Sequence, residues 1–501
     1  MERVAVADLG SNSWRLVVYG YEPDTPWWSP VDEIREAVRV GAGMGSDRVL
    51  QPERIDRALH TAAVFASFCR ASGIDQVEAV ATSAIRDAVN GGDLVDAIRE
   101  RTGLQPRVIS GREEARYGWL AIANSTTIED GFGLDIGGGS IQAMRLADRR
   151  LVDAESLPLG SVRVSEGFLP DEKASAKEMK ALRKRVESEL AKLGWWEGGG
   201  RLVGIGGTIR NLAAAAMRNT ELPLMDPQGF RLDRDQLEEL IELLADKPAS
   251  KRGDVRGIKP DRCDVILGGA LVLAAALDSG GFDAVEVTEA GLREGVFFER
   301  LLGERELFDD VRTESVENLA HRFNSEPEHV RRVASLSRDV FDGLAAAGLH
   351  DYGDAERELL WAAGVLHDIG TAIDYEDHHR HSHYLILNAG LPGFDPRELL
   401  LVGLIARYHR KGEPDASELG DLAQDGDDDR LRLLCAIIRL AEQLERSRDG
   451  AIRAVEVATA NGRITLAPDA DPEADTTVPI WAARQNADLL AEALDREVEI
   501  A

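Results

Sequence analysis

Two short strings in this chain carry the residue types that handle an anion together with a metal ion. Residues 6–13 read VADLGSNS and residues 133–140 read GLDIGGGS. Aligning Asp8 with Asp135 gives one pattern twice, Asp-[Leu/Ile]-Gly-x-x-Ser, in which Gly10 and Ser13 correspond to Gly137 and Ser140. Each copy follows an apolar run and leads into another, WRLVVYG or IQAMRLA, so each predicts a strand–turn–strand hairpin with one carboxylate at its tip. Glycines there let another group approach the main chain. The tips, Gly10, Ser11, Asn12 and Ser13 in one and Gly137, Gly138, Gly139 and Ser140 in the other, then offer N–H groups and hydroxyls to phosphate oxygens. Asp8 and Asp135 would hold Mg2+ through water, since that ion prefers oxygen donors and sheds its hydration shell reluctantly. A third glycine-rich turn, GIGGTIRNLA (204–213), follows a strand and opens a helix, so Gly206, Gly207 and Thr208 suit an anion at a helix N-terminus.

Positioning these tips requires two similar α/β domains facing each other across a cleft. Over the first 300 residues, short β-branched runs such as RVAVADLG, QVEAVATSA and RLVGIGG alternate with amphipathic stretches at 51–70, 94–102 and 174–193. From about residue 313 helical periodicity takes over, and from 451 the chain turns β-like again, with Asn461-Gly462 as a hairpin turn. Nine of the ten histidines lie between His321 and His409, which gives the helical region a chemistry of its own. The expected domains are 1–125, 126–305, an all-α region 306–449 and a small α+β tail 450–501.

Composition narrows the function. At 501 residues the chain is too long for one core. A formal net charge of −30 argues against nucleic-acid or anionic-membrane binding, yet leaves room for an anionic substrate in a local cleft of amides, arginines and metal. Cys69, Cys263 and Cys435 are widely spaced and read as reduced. No stretch near the first residue reads as a signal peptide and no apolar run is long enough to span a bilayer, so the expected location is the cytoplasm.

Seven blocks in order resemble the Ppx/GppA phosphatase family, exopolyphosphatases and guanosine pentaphosphate phosphohydrolases on the actin-like and sugar-kinase (ribonuclease H-like) fold. They are ADLGSNSWRLVV, ATSAIRDAVN, ISGREEARYGWLA, LDIGGGSIQ, LPLGSVRVSEGF, GIGGTIRNLA and TEAGLREGVFFE, and they cover residues 1–300. The resemblance implies that Glu114, the second glutamate of SGREEA, activates water against a terminal phosphoanhydride. Its neighbour Glu113 remains open: on a helix the two carboxylates diverge by about 100°, so only one faces the cleft. Arg86 matches a family arginine that faces the phosphate. Arg293 and Glu294 fit either a helix-start or a ligand role. Gln142 departs from the glutamate many members carry and keeps only an amide carbonyl as acceptor.

The helical region resembles an HD-domain appendage. His329, His367-Asp368, His379, His383 and His409 match that pattern, and Glu442 or Glu445 stands where an aspartate ligand is usual. The extra methylene would displace a ligand by about 1.5 Å, so a weakened, vestigial metal site is expected. The implied activity is removal of terminal phosphate from inorganic polyphosphate or guanosine pentaphosphate. Mg2+ is the implied cofactor, with Mn2+ as substitute and K+ as accompanying ion, and the implied assembly is a homodimer. A kinase-type ATPase on the same fold, or a weakly catalytic nucleotide or polyphosphate sensor, are the rival classes.

Overall fold

Strand Glu2–Leu9 (β1) buries both faces, and its alternation at period two feeds two different cores: Ala5, Ala7 and Leu9 enter one, Val4 and Val6 the other. The computed structural model describes residues 1–501 apart from 24, 219, 221, 223, 225, 324 and 325. It forms two compact units, one of residues 1–220 and 225–311 and one of residues 221–224 and 312–501.

The first unit holds two sheets built on one plan. β1 pairs antiparallel with β2 (Trp14–Tyr21), which pairs with β3 (Trp28–Glu36), while β4 (Val77–Ala81) and β5 (Arg107–Val108) run parallel to β1. The order is β3-β2-β1-β4-β5. The second sheet repeats it with β6 (Gly131–Ile136), β7 (Ile141–Ala147), β8 (Arg150–Leu157), β9 (Leu202–Ile205) and β11 (Ala284–Val287), and adds the short edge strand β10 (Arg231–Asp233). This duplicated order gives the two similar α/β domains expected from the paired motifs, in the actin-like architecture that the family resemblance implies. Asp8 closes on the β1–β2 tip and Asp135 on the β6–β7 tip, each at the C-terminal end of a strand that also has a parallel neighbour, the usual place for ligands in α/β sheets.

Helices Pro52–Ala71 and Gly91–Thr102 cover one face of the first sheet around Trp14 and Phe65. Helix Gly111–Ala123 covers the other together with Leu292–Leu302, whose Phe297 stacks on Tyr19 at 4.3 Å. That last helix comes late in the chain and returns to β1, which carries Arg293 to the first hairpin. The apolar run 266–277 belongs to helix Ile266–Gly280, buried nearly all round. No described helix is long and apolar enough to cross a membrane.

The second unit packs helices Pro327–Ala346, Asp354–Leu366, His378–Ala389, Pro396–Tyr408 and Asp427–Leu444 with a three-stranded sheet. Its strands are β12 (Ile452–Ala460), β13 (Arg463–Ala470) and β14 (Glu497–Ile500). Asn461 and Gly462 turn the β12–β13 hairpin with φ of +54° and +81°, the left-handed pair such a turn requires. Gly343 lets β12 lie directly on its helix: a Cβ there would stand 2.4 Å from Val457 Cγ2.

Candidate active site

The two hairpin tips touch. A Cβ added to Gly138 would lie 3.1 Å from Ser11 Cβ, and one on Gly139 would lie 2.5 Å from Ser83 Oγ. Only glycine permits this approach. Ser11 Oγ is 2.9 Å from Ser83 Oγ and accepts from the Ala84 N–H, which ties the first tip to helix Ser83–Asp87. The third turn closes from below. Gly206 adopts φ of +91°, and a Cβ there would sit 2.3 Å from Asp135 Oδ1. Helix Gly207–Met217 therefore points its first N–H groups at the space beside Asp135. The phosphate-binding residues expected on the three turns are thus gathered in one cleft.

Electrostatics mark the same place. Burial pushes Asp8 up to about 6 even though Arg293 and Arg15 pull it down. Burial also raises Asp135 to about 6, and Asp8 adds to the rise. Two carboxylates in one dry cleft repel each other, and a cation between them relieves both the repulsion and the lost hydration. The polar surroundings fit an oxygen-ligated ion: Asn12 keeps Oδ1 and Nδ2 buried without a partner, and Gln142 keeps Oε1 so. Gln142 lies directly across the strand pair from Asp135 and donates Nε2–H to Ser140 Oγ (2.9 Å) and Ser156 Oγ (3.0 Å). Its carbonyl oxygen is left as an uncharged acceptor beside the carboxylate.

The helix Gly111–Ala123 separates the two glutamates. Glu113 completes a capping box: it accepts from the Ser110 N–H at 2.8 Å while Ser110 Oγ accepts from its own N–H. Its side chain is 49% exposed and pairs with Arg107. Glu114, one position on, is 8% exposed and accepts from Arg86 Nη1 at 2.8 Å. Burial raises Glu114 to about 7 against the opposing charge of Arg86, and the charges of Asp135 and Asp8 push the same way as burial. A buried carboxylate near neutrality, beside a permanently charged guanidinium and two acidic groups, has the properties of a general base.

Arg293 and Glu294 divide their two expected roles. Glu294 accepts from the Gly291 N–H (2.8 Å) and from Tyr19 Oη–H (2.6 Å), so it starts the helix. Arg293 reaches Asp8 at 3.7 Å and keeps Nε buried and unpartnered. Two further arginines join the site, Arg210 from within the GIGGTIRNLA block and Arg262 from outside every motif. Arg262, in the turn Pro260–Arg262, lies so close over Gly207 that a Cβ there would stand 2.1 Å from Nη2. Burial lowers it to about 10, so it stays cationic at neutral pH, and its Nε has no partner. Arg210 donates to the Glu289 carbonyl and shares the field of Asp8 and Asp135. Cavities open on either side of the tips. One of about 440 Å³ is lined by Ser11, Gly138, Gly139, Arg48 and Arg163, and one of about 930 Å³ by Asn12, Arg39, Arg54 and Asp264.

Residues 21–304 match the model of the Ppx/GppA phosphatase family, and residues 311–477 match Ppx/GppA phosphatase, domain III. The chain belongs to the Ppx/GppA phosphatase family. Similar solved structures include the Aquifex aeolicus Ppx/GppA family member, 28% identical with a TM-score of 0.52 over 60% of this chain and 98% of its own. An exopolyphosphatase-like protein is 26% identical with a TM-score of 0.54, over 60% of this chain and 98% of its own. An exopolyphosphatase from Cytophaga hutchinsonii, 22% identical, shares the fold with a TM-score of 0.56 over 61% of this chain and all of its own (100%). Arg86, Glu114, the second hairpin and the Gly206–Gly207 turn lie inside the matched residues 21–304, and the first hairpin, residues 6–13, lies just before them.

The histidine-rich second unit lies in the domain III match. His329, His367, Asp368 and Glu442 converge: Glu442 Oε2 is 3.1 Å from His329 Nε2 and 3.2 Å from His367 Nε2. The longer glutamate thus reaches both imidazoles. Glu445 turns elsewhere and accepts from the Gly450 N–H. His409 joins the group, but His378 takes the place expected for His379, with Nε2 3.3 Å from Asp368 Oδ1. His383 instead places Nδ1 3.2 Å from the Gly403 carbonyl, which accepts its hydrogen.

Proposed function

We propose that this member of the family is an exopolyphosphatase, releasing orthophosphate from the end of inorganic polyphosphate by attack of water. The observation that carries the reading is Glu114: a buried carboxylate, raised to about 7, held by Arg86 in the cleft that contains both aspartates. The terminal phosphate would accept N–H bonds from the turns at Gly137–Ser140 and Gly206–Thr208. Arg86 and Arg262 supply permanent positive charge to its oxygens. Asp8 and Asp135 would hold Mg2+, which when bound neutralises charge that develops on the phosphoryl oxygens and on the leaving bridge oxygen. Glu114 orients a water in line with the bridging P–O bond and takes its proton. The water oxygen bonds to phosphorus, the bridging bond breaks toward the shortened chain, and that chain leaves as an anion. Arg86 holds the carboxylate in position until the phosphate competes for the same guanidinium.

A second reading within the class is guanosine pentaphosphate hydrolysis. It is favoured by the larger cavity, where Arg39 already pairs with Asp264. Fewer free cations then remain for a long polymer. Rates on medium-chain polyphosphate, guanosine pentaphosphate and ATP, measured side by side with Mg2+, decide between them. Turnover confined to ATP would refute both readings, and binding without turnover would favour a sensor.

A further inference from the structure

We propose that Glu294 is a positioning residue for the cation site of the cleft: it holds Arg293 off Asp8, so that the aspartate keeps its charge for a metal ion. On the reading that Asp8 and Asp135 bind Mg2+, Glu294 is the group that stops a neighbouring arginine from taking the ion's place. Arg293 lies between two carboxylates and closes on neither. Its Nη1 is 3.7 Å from Asp8 Oδ2, and its Nη2 is 3.9 Å from Glu294 Oε1. Both gaps exceed the length of a hydrogen bond, about 2.7–3.2 Å. The remaining nitrogen, Nε, is buried without a partner.

Both oxygens of Glu294 are already committed. Oε2 accepts from the Gly291 N–H at 2.8 Å, and Oε1 accepts from the Tyr19 hydroxyl at 2.6 Å. Tyr19 is fixed in turn by its ring, which stacks on Phe297 at 4.3 Å inside the core. The carboxylate therefore cannot swing toward Arg293, and the guanidinium is attracted to it across a fixed gap. Burial works against the charge of Glu294, but Arg293 and the Tyr19 hydroxyl outweigh it and hold the group below the usual carboxylate range. Its field reaches Asp8, where it opposes that of Arg293. Held this way, Arg293 can offer Nε and a permanent charge to an anion without sealing Asp8 in an ion pair.

The local charge balance depends on that gap. The side chains of Asp8, Arg293 and Glu294 are 19%, 10% and 17% exposed, so solvent ions screen them weakly. Arg15 stands opposite Asp8 across the β1–β2 pair and donates Nε–H to Glu33 at 2.8 Å. Arg15 and Arg293 thus each carry a glutamate of their own. Three carboxylates against two guanidinium groups leave one negative charge, and Asp8 holds it toward the cleft. The Asp135 side is built alike: Arg210 lies 3.8 Å from Glu289 Oε2 and donates to the Glu289 carbonyl at 2.6 Å. Neutralising Glu294 would leave Arg293 with Asp8 as its main counter-charge, and the local sum would fall to zero. A buried guanidinium without its anion is costly, which drives the pair to close.

The test is Mn2+ binding to the full chain without substrate, read from the electron paramagnetic resonance signal of the free ion. The binding step absent from Asp8→Asn is the one that belongs to the cleft. Glu294→Gln, whose amide oxygen still accepts from Gly291, should weaken this step by about tenfold or more, the effect of losing one poorly screened charge near a divalent ion. Arg293→Gln should tighten it by a similar factor. The double variant restores the sum of one negative charge and should return to within about threefold of wild type. Tyr19→Phe leaves Glu294 charged and should not weaken the step. A merely structural role for Glu294 would not give opposite signs in the single variants and recovery in the double. If circular dichroism shows that Glu294→Gln alone does not fold, Arg293→Gln against the double variant carries the same change of charge. Unchanged binding in Glu294→Gln, weakening in both single variants, or equal binding in Arg293→Gln and the double variant overturns the proposal while leaving the metal at the aspartates. A wild type without any Asp8-dependent step overturns both.

Discussion

Replacing Glu114 by glutamine separates the two adjacent carboxylates that the sequence offers as bases. The amide keeps the volume of the side chain and can still accept from Arg86 Nη1, now 2.8 Å from the carboxylate, so the cleft should keep its shape. What it loses is the ability to take a proton from water. Removing a positioned general base lowers turnover by ~10²–10⁴-fold. The substitution also frees Arg86 from an ion pair inside a buried cleft, so KM for a short polyphosphate should stay level or fall. The pH profile gives a second signature. Burial holds Glu114 near 7 in the free enzyme, and a base works only when deprotonated, so kcat/KM rises with pH and levels off above that value. A cation on Asp8 and Asp135 favours the charged form, so at saturating Mg2+ the limb should lie below pH 7, with the rate falling by about tenfold per pH unit beneath it. The Glu114→Gln variant should lack the limb. Glu113→Gln should lose less than threefold and keep it, because glutamine still completes the helix cap. The assay is initial orthophosphate release across roughly pH 5–9 at saturating Mg2+. A larger loss in Glu113→Gln than in Glu114→Gln, or an unchanged limb in Glu114→Gln, would refute the assignment.

Gly206→Ala should lower kcat/KM at least tenfold with a small drop in Tm, since φ of +91° and the 2.3 Å approach to Asp135 leave no room for a methyl group; wild-type kinetics would show that the third turn is not part of the site. Arg262→Gln should raise KM about 10–100-fold, the scale of a lost charged hydrogen bond, with kcat less affected. Gln142→Glu should lower the Mg2+ concentration for half-maximal activity several-fold, read from a metal titration of the rate, because it sets a second charge opposite Asp135. His383 is pushed down to about 4, mainly by burial and then by Arg407. Above its ordinary value of 6.5 both states are neutral; as pH falls toward 4 the unfolded chain gains a proton that the fold refuses, and stability drops by up to about 1.4 kcal/mol per pH unit. His383→Gln should flatten that slope in chemical denaturation at pH 7, 6 and 5.

The hairpin repeat was legible because its chemistry is local. A carboxylate, a glycine and a hydroxyl within six residues specify a tip wherever the sheets place it, and the structure places Asp8 and Asp135 as that logic requires. The choice between Glu113 and Glu114 was half legible: helical geometry says that one faces inward, but the Ser110 capping box that claims Glu113 needs the helix start to be known. Arg210 stood within the GIGGTIRNLA block, one turn into the helix that Gly207 opens, without being singled out. Arg262 was illegible: it is one arginine among many, and only the turn over Gly207 brings it to the cleft. Strand β3 carried little signal, because its middle, Pro30 to Glu33, is an exposed edge without alternation. In the second unit, His378 and His379 are adjacent at a helix start. Which of them turns inward depends on the Tyr375 carbonyl that fixes the first ring, not on any spacing in the sequence.

The two hairpins share a plan but differ at one register position, and that difference bears on how the cleft is charged. Opposite Asp8 stands Arg15, and opposite Asp135 stands Gln142. Neighbours directly across an antiparallel pair lie on the same face, with Cβ atoms about 5 Å apart, so each modulates its aspartate. Arg15 lowers Asp8, Gln142 brings no charge to Asp135, and Arg293 lowers both aspartates. Three arginines lower each aspartate, yet burial keeps both near 6, so a cation shared by the two carboxylates would relieve both. Arg210 and Arg262 also lower Asp135, and they reach it from the side of the Gly206–Gly207 turn where an anion would enter. If the anion draws those guanidinium groups toward itself, Asp135 loses part of its compensation at that moment and its demand for a metal ion rises. Substrate and metal should then bind with mutual reinforcement, each supplying charge that the other displaces.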